Sequence, residues 1–206
     1  MNLAVFGDSW PIGTELQPGE IPFGDLLHVK LETENFYNEA EQGSSIDSLI
    51  LQLDNFAKRK IQNCICVFFI TNPTRFLHFQ NGQKQILRPT GDKSALNRFY
   101  FLDVQSDELD YHRANVSILA VQRMCQQLGY QDYYIEGWTN IDWKYEGIDK
   151  TKFIPQSATE MFGADTNTKT LELTKFQDNE YIRPNKYHPN QKGHSLIAEK
   201  LFKFIR

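Results

Sequence analysis

Two side chains in this sequence have the chemistry of an acyl-transfer pair. Ser9 lies in the turn G-D-S-W that follows the apolar run N-L-A-V-F, and His188 lies in N-K-Y-H-P just ahead of the last helical stretch. A serine hydroxyl is a weak nucleophile until a base takes its proton, and imidazole is the side chain best matched to that task near neutral pH. The attacked carbonyl oxygen then needs hydrogen-bond donors for its developing charge. The N–H of Ser9 is one. Gly43, at the start of a predicted helix, lets a ligand oxygen approach free N–H groups because it has no Cβ. Asn72, in T-N-P-T-R after the run C-I-C-V-F-F-I, adds a side-chain amide. Arg75, three residues further on, is a candidate for holding an anionic substrate group. Taken singly, each has a plainer reading as a cap, a strand-closing turn residue or a surface arginine. Their joint placement carries the inference.

That placement follows from the elements that must hold them. Residues 2 to 6 read as a buried strand ending at Gly7. Pro22 marks a first helical position, and Phe23, Leu26, Leu27 and Leu31 recur at helical spacing. Residues 35 to 38 read as a weak second strand. A second helix is capped by Ser44, with Asp47 three residues on and a face of Ile46, Leu49, Ile50, Leu53, Phe56 and Ala57. Residues 64 to 70, apolar throughout, predict a central parallel strand covered on both sides. A helix is predicted over 106 to 128, with a core face of Leu109, His112, Val116, Leu119 and Leu128, closed by Gly129. Strands at 132 to 135 and 152 to 154 follow, then a helix from about 190 with Ile197, Ala198, Leu201 and Ile205 on one face. This alternation predicts one three-layer α/β/α domain over residues 1 to 206, with a five-stranded, mainly parallel, flavodoxin-like sheet. Such sheets bind ligands beyond the carboxyl ends of their strands, where Ser9, Gly43 and Asn72 fall. Residues 73 to 105 lose periodicity and read as an insertion or lid.

These segments, in order and spacing, resemble the SGNH/GDSL hydrolases. The family's first block, G-D-S, stands at Gly7, Asp8 and Ser9; its oxyanion glycine matches Gly43 in N-E-A-E-Q-G-S-S; its G-x-N-D asparagine matches Asn72; and its D-x-x-H block matches Asn185 to His188. The resemblance covers nearly the whole chain and implies a serine esterase, acetylesterase, lipase or thioesterase working through an acyl-enzyme without a cofactor. Two departures stand out. The third block reads I-T-N-P, with Ile70 and Pro73 in place of glycine and aspartate. The acid position holds Asn185, which accepts a hydrogen bond from imidazole but carries no charge. Asn185 is the working orienter of His188, with a backbone carbonyl or a carboxylate such as Asp178 as alternatives. The asparagine also keeps open a second class of function, a binding module for a glycan or small ligand on the same fold without turnover.

Composition narrows the rest. The chain has 206 residues, 40% hydrophobic and 13% aromatic, and a formal charge of −4 with acids and bases interspersed. No basic stripe of the kind that tracks a phosphate backbone is present, so no nucleic-acid partner is expected. No run approaches the roughly 18 apolar residues of a membrane span, and the N-terminus has no signal-peptide pattern. A cytoplasmic protein that does not engage membranes is therefore expected, suited to a bacterial or phage source. Cys64, Cys66 and Cys125 read as reduced core residues. The histidines and cysteines show no metal-ligand spacing, so no metal is expected. Aromatics crowd the 73–105 segment and the loop G-W-T-N-I-D-W-K-Y. Trp138 and Trp143 in that loop are the candidates for stacking on a sugar ring or acyl chain. The substrate expected is a small or carbohydrate ester with an acetyl or short acyl group; the sequence leaves the oligomeric state open.

Overall fold

A computed structural model describes residues 1–89, 94–138, 141–163, 179–183 and 188–206. Its main sheet takes strands β1 (Asn2–Phe6), β2 (Phe36–Asn38), β3 (Cys64–Ile70) and β6 (Gln131–Glu136), all parallel and ordered β2-β1-β3-β6. The fifth strand expected at 152 to 154 shrinks to one parallel bridge between Tyr134 and Phe153, beside a 3₁₀ turn at Lys150–Lys152.

Strand alternation divides the core in two. Ala4, Phe6, Cys64, Cys66, Phe68, Ile70 and Tyr134 face one layer, while Leu3, Val5, Ile65, Val67, Phe69 and Ile135 face the other. The first layer is closed by α3 (Ser48–Ala57) through Leu49, Leu53 and Phe56 and by α5 (Asp107–Leu128) through Ala114, Ile118, Val121 and Cys125. The second is closed by α2 (Phe23–Leu31) through Phe23 and Leu27 and by α7 (Gln191–Ile205) through Ile197, Ala198 and Leu201. Helices on both faces explain why β3 is buried at every residue. Cys64, Cys66 and Cys125 are free thiols inside the first layer, where burial and the neighbouring sulfurs push the Cys66 thiol up.

The structure corrects or fills in the sequence reading in three further places. The α3 helix begins at Ser48, not at Ser44, because the Ser44 hydroxyl donates to the carbonyl of Gly7 at 2.7 Å instead of capping. The expected face of α5 is only partly right: Leu119 and Leu128 pack against the core, but His112 and Val116 are exposed, while Asp110, Asn115, Ser117 and Gln122 are buried. These polar groups are satisfied by clamping other segments. Asn115 donates to the carbonyl of Asp142 and accepts from the N–H groups of Lys144 and Tyr145, and Gln122 makes paired bonds to the backbone of Asp149. The third place is the 73–105 segment, which holds an antiparallel hairpin, β4 (Phe76–Gln80) and β5 (Gln83–Leu87). After it come the short α4 (Ala95–Phe99) and a π-helical turn at Tyr100–Val104. The hairpin turns on Asn81 and Gly82, both left-handed at φ 51° and 76°, the geometry for which Asn-Gly is favoured. Arg113 of α5 anchors its base, lying 4.6 Å over the Phe76 ring and bonding to Asp47 and to the carbonyl of Arg75.

Candidate active site

The site begins where β1 must stop. Gly7 has φ 144°, and a Cβ there would stand 2.8 Å from Cβ of Phe69 and 2.9 Å from its carbonyl oxygen, so only glycine fits. Its peptide is clasped by one side chain: the N–H of Gly7 donates to Gln52 Oε1 and Gln52 Nε2 donates to the Gly7 carbonyl, both at 2.9 Å. Asp8 follows, fully buried, and its Oδ1 accepts the N–H of Trp10 at 3.1 Å, starting the one-turn helix α1 (Ser9–Ile12). The other oxygen of Asp8 accepts from Thr71 Oγ1 at 2.7 Å and from Arg75 Nη1 at 2.9 Å. Arg75 Nη1 also donates to the carbonyl of Ser44 at 3.1 Å. The guanidinium expected to meet substrate thus ties the ends of β1 and β3 to the loop before α3.

On this base Ser9 meets His188. Ser9 Oγ and His188 Nε2 are 2.9 Å apart, across 179 residues of chain. The other ring nitrogen, Nδ1, is 3.0 Å from Glu15 Oε2. A carboxylate only accepts, so Nδ1 carries the hydrogen and Nε2 is left to accept the Ser9 hydroxyl proton. Glu15 comes just after α1, whose C-cap Gly13 is left-handed, and is itself left-handed at φ 72°. Its side chain and that of His188 are 27% and 21% exposed, so water reaches this edge. Asn185 and Asp178, the sequence-based candidates for orienting His188, lie outside the described residues.

In the loop after β2, Gly43 is left-handed at φ 73°, and a Cβ there would clash with Arg88 Nη2. Arg88, exposed at the end of the hairpin, therefore lies against the expected oxyanion glycine. Its backbone is held at both N–H and C=O by the side chain of Asn97. Burial and the charge of Arg75 lower the pKa of Arg88. Asn72 Oδ1 accepts the N–H and hydroxyl of Thr74, which fixes the amide and leaves its N–H groups as the available donors. Among the described residues, neither Ser9 N–H nor Gly43 N–H donates to another group.

Of the two tryptophans expected to face substrate, Trp143 is buried and Trp138 is half-buried. Trp138 packs on the buried Trp10 beneath Ser9, with ring centroids 4.9 Å apart. Trp143 is 7% exposed, packs tilted at 45° against Phe153, and donates its indole N–H to Glu136 at 3.1 Å. Glu136 also accepts from the N–H of Ile141, and burial pushes its carboxyl up to about 7. His194 is an internal part of α7: its Nδ1 accepts the N–H of Phe23 at 3.2 Å, and burial, then the charges of His188 and Arg183, lower its pKa to about 4. Among the described residues no three potential ligands stand close enough to hold a metal ion, and no helix is long and apolar enough to cross a membrane.

Sequence reasoning missed Glu15, Arg88 and the role of Asp8. Asp8 had a readable signal, an acidic residue in a helix N-cap position. Glu15 had none, because its contact with His188 spans 173 residues and follows no periodicity.

No protein-family model and no curated protein sequence matches the chain. Solved structures do. A lipolytic protein of the G-D-S-L family from Veillonella parvula DSM 2008 superimposes at TM-score 0.52 with 18% identity, over 98% of this chain and 96% of that one. TesA superimposes at TM-score 0.60 with 10% identity, over 100% and 98%. The acetyl xylan esterase AlAXEase gives TM-score 0.56 with 13% identity, over the full length of both. The chain therefore has the three-layer fold of the G-D-S-L lipolytic structures.

Proposed function

We propose that this protein is a serine ester hydrolase in which Ser9 attacks an ester carbonyl and His188 takes its proton. The observation that carries the reading is the 2.9 Å contact between Ser9 Oγ and His188 Nε2 at the carboxyl end of β1, in a tautomer with Nε2 free to accept. Attack forms a tetrahedral intermediate whose oxyanion meets the N–H groups of Ser9 and Gly43 and the Asn72 amide. Collapse expels the alcohol, which takes its proton from His188. Water, deprotonated by the same imidazole, then releases the acid and restores Ser9. The unengaged N–H groups of Ser9 and Gly43 support this reading, as does the likeness to an acetyl xylan esterase for a short acyl group on carbohydrate. Arg88, exposed over Gly43, is the cation we place against a negatively charged substrate group, in preference to Arg75.

Hydrolysis of p-nitrophenyl acetate and butyrate tests the proposal, with Ser9→Ala beside the wild type and circular dichroism confirming the fold of both. Turnover should fall by about 10³-fold or more in the variant. Equal rates in the two would favour a ligand-binding module instead.

A further inference from the structure

We infer that Glu15 is the acid of this site: it holds His188 in the reactive tautomer and stabilises the imidazolium, taking the role that the sequence pattern assigns to position 185. This rests on the reading of Ser9 and His188 as nucleophile and base. Glu15 acts through His188 and is a positioning residue.

The geometry is that of a working pair. Glu15 Oε2 stands 3.0 Å from the imidazole nitrogen opposite the one that faces Ser9. When Ser9 Oγ–H gives its proton to Nε2, the ring becomes a cation whose Nδ1–H already points its charge at a carboxylate. Glu15 takes no proton in this step, and the positive charge on the ring is met by the negative charge beside it. An asparagine can accept the same hydrogen bond but offers no charge.

The segment bearing Glu15 is fastened to the segment bearing His188 at three successive points. Glu15 pairs with His188. Glu20 pairs with Arg183, whose own N–H donates to the carbonyl of His188 at 3.1 Å. The N–H of Ile21 donates to Gln191 Oε1 at 2.6 Å, and Gln191 Nε2 returns a bond to the Ile21 carbonyl at 3.2 Å. These ties fix the loop 13–21 against the loop that presents the base. Glu15 itself adopts a left-handed φ of 72°, a conformation that a residue with a Cβ keeps only where its surroundings dictate it. A carboxylate fifteen residues into the chain, set by a one-turn helix and a left-handed cap, thus reaches a histidine near its end.

The test compares Glu15→Gln, Glu15→Asp, Asn185→Ala and Ser9→Ala in p-nitrophenyl acetate hydrolysis, together with proton NMR of the imidazole N–H in each variant. Glu15→Gln preserves shape and removes the charge. It should lower kcat by ~10²–10⁴-fold with KM within about threefold, as loss of charge beside a catalytic imidazole does elsewhere. Glu15→Asp should recover part of that loss, and Asn185→Ala should lower kcat by less than Glu15→Gln does. The wild type should show a strongly downfield imidazole proton that disappears in Glu15→Gln and persists in Asn185→Ala. Ser9→Ala inactive with Glu15→Gln near wild type would overturn the assignment and leave the hydrolase reading standing. The downfield proton lost in Asn185→Ala and kept in Glu15→Gln would also overturn it. Ser9→Ala with unchanged turnover would sink the hydrolase reading, and any role of Glu15 in turnover with it, while the NMR signal still reported whether the pair forms.

Discussion

The Gly43 and His188 parts of the candidate site are built in different ways. On the Gly43 side the positions are set by buried groups at strand ends: Asp8 is completely buried between Thr71, Arg75 and the N–H of Trp10, and Gln52 clasps the Gly7 peptide from α3. On the His188 side the positions are set by partly exposed loops from opposite ends of the chain, joined by Glu15–His188, Glu20–Arg183 and Ile21–Gln191. A buried polar group left without its partner costs far more than a solvated one. The first side should therefore be inseparable from folding, and the second should be adjustable at little cost to stability. The Asp8 and Gly7 geometry is written into the core, and His188 is held by surface ties.

The sharpest way to break this contrast is Asp8→Ala. Arg75 would lose the carboxylate that holds it, and the N–H of Trp10 would lose its cap. We expect a loss of about 3 kcal/mol, read by urea denaturation, together with loss of activity. Retained stability with lost activity would show that Asp8 serves only the chemistry.

A smaller effect is expected at another buried strand end. The Glu136 carboxyl is raised to about 7 by burial, while the unfolded chain titrates near 4.5. Between those values the folded protein binds more protons than the unfolded one, so stability falls as pH rises through that window. In Glu136→Gln the side-chain carbonyl still accepts from Ile141 and Trp143, and nothing ionises. The variant should match the wild type at pH 5 and exceed it by of the order of 2 kcal/mol at pH 8, in denaturant titrations at the two pH values.

The same contrast explains what the sequence could tell. β3 was legible because both its faces are covered, which demands an apolar residue at every position from Cys64 to Ile70. The Ser9–His188 contact had readable signals, because Ser9 follows a strand and His188 precedes a helix. The α5 face was partly misread because the polar residues at its buried positions, Asn115 and Gln122, bond to loops that a helical pattern does not reveal. The hairpin had a signal that periodicity alone passes over, the Asn81-Gly82 pair. Glu15 was out of reach because its role exists only once both chain ends are folded together.

The smallest expected effect is the most direct probe of the surface-tied side. Glu20→Gln removes the charge facing Arg183 but keeps the shape, and its side chain is 25% exposed, so solvent takes over part of the lost interaction. Stability should change by less than about 1 kcal/mol. The loop that carries Glu15 would lose one of its three fastenings, and even a small displacement of a group beside the reacting atoms lowers rate. We expect kcat to fall by about three- to tenfold with little change in KM, and the melting temperature to stay near that of the wild type. A large drop in melting temperature would show that the loop ties are part of the cooperative core, and the division between a folding side and an adjustable side would fail. An unchanged kcat would mean that Glu15 and His188 hold their geometry without help from Arg183, moving the positioning onto the Ile21–Gln191 pair.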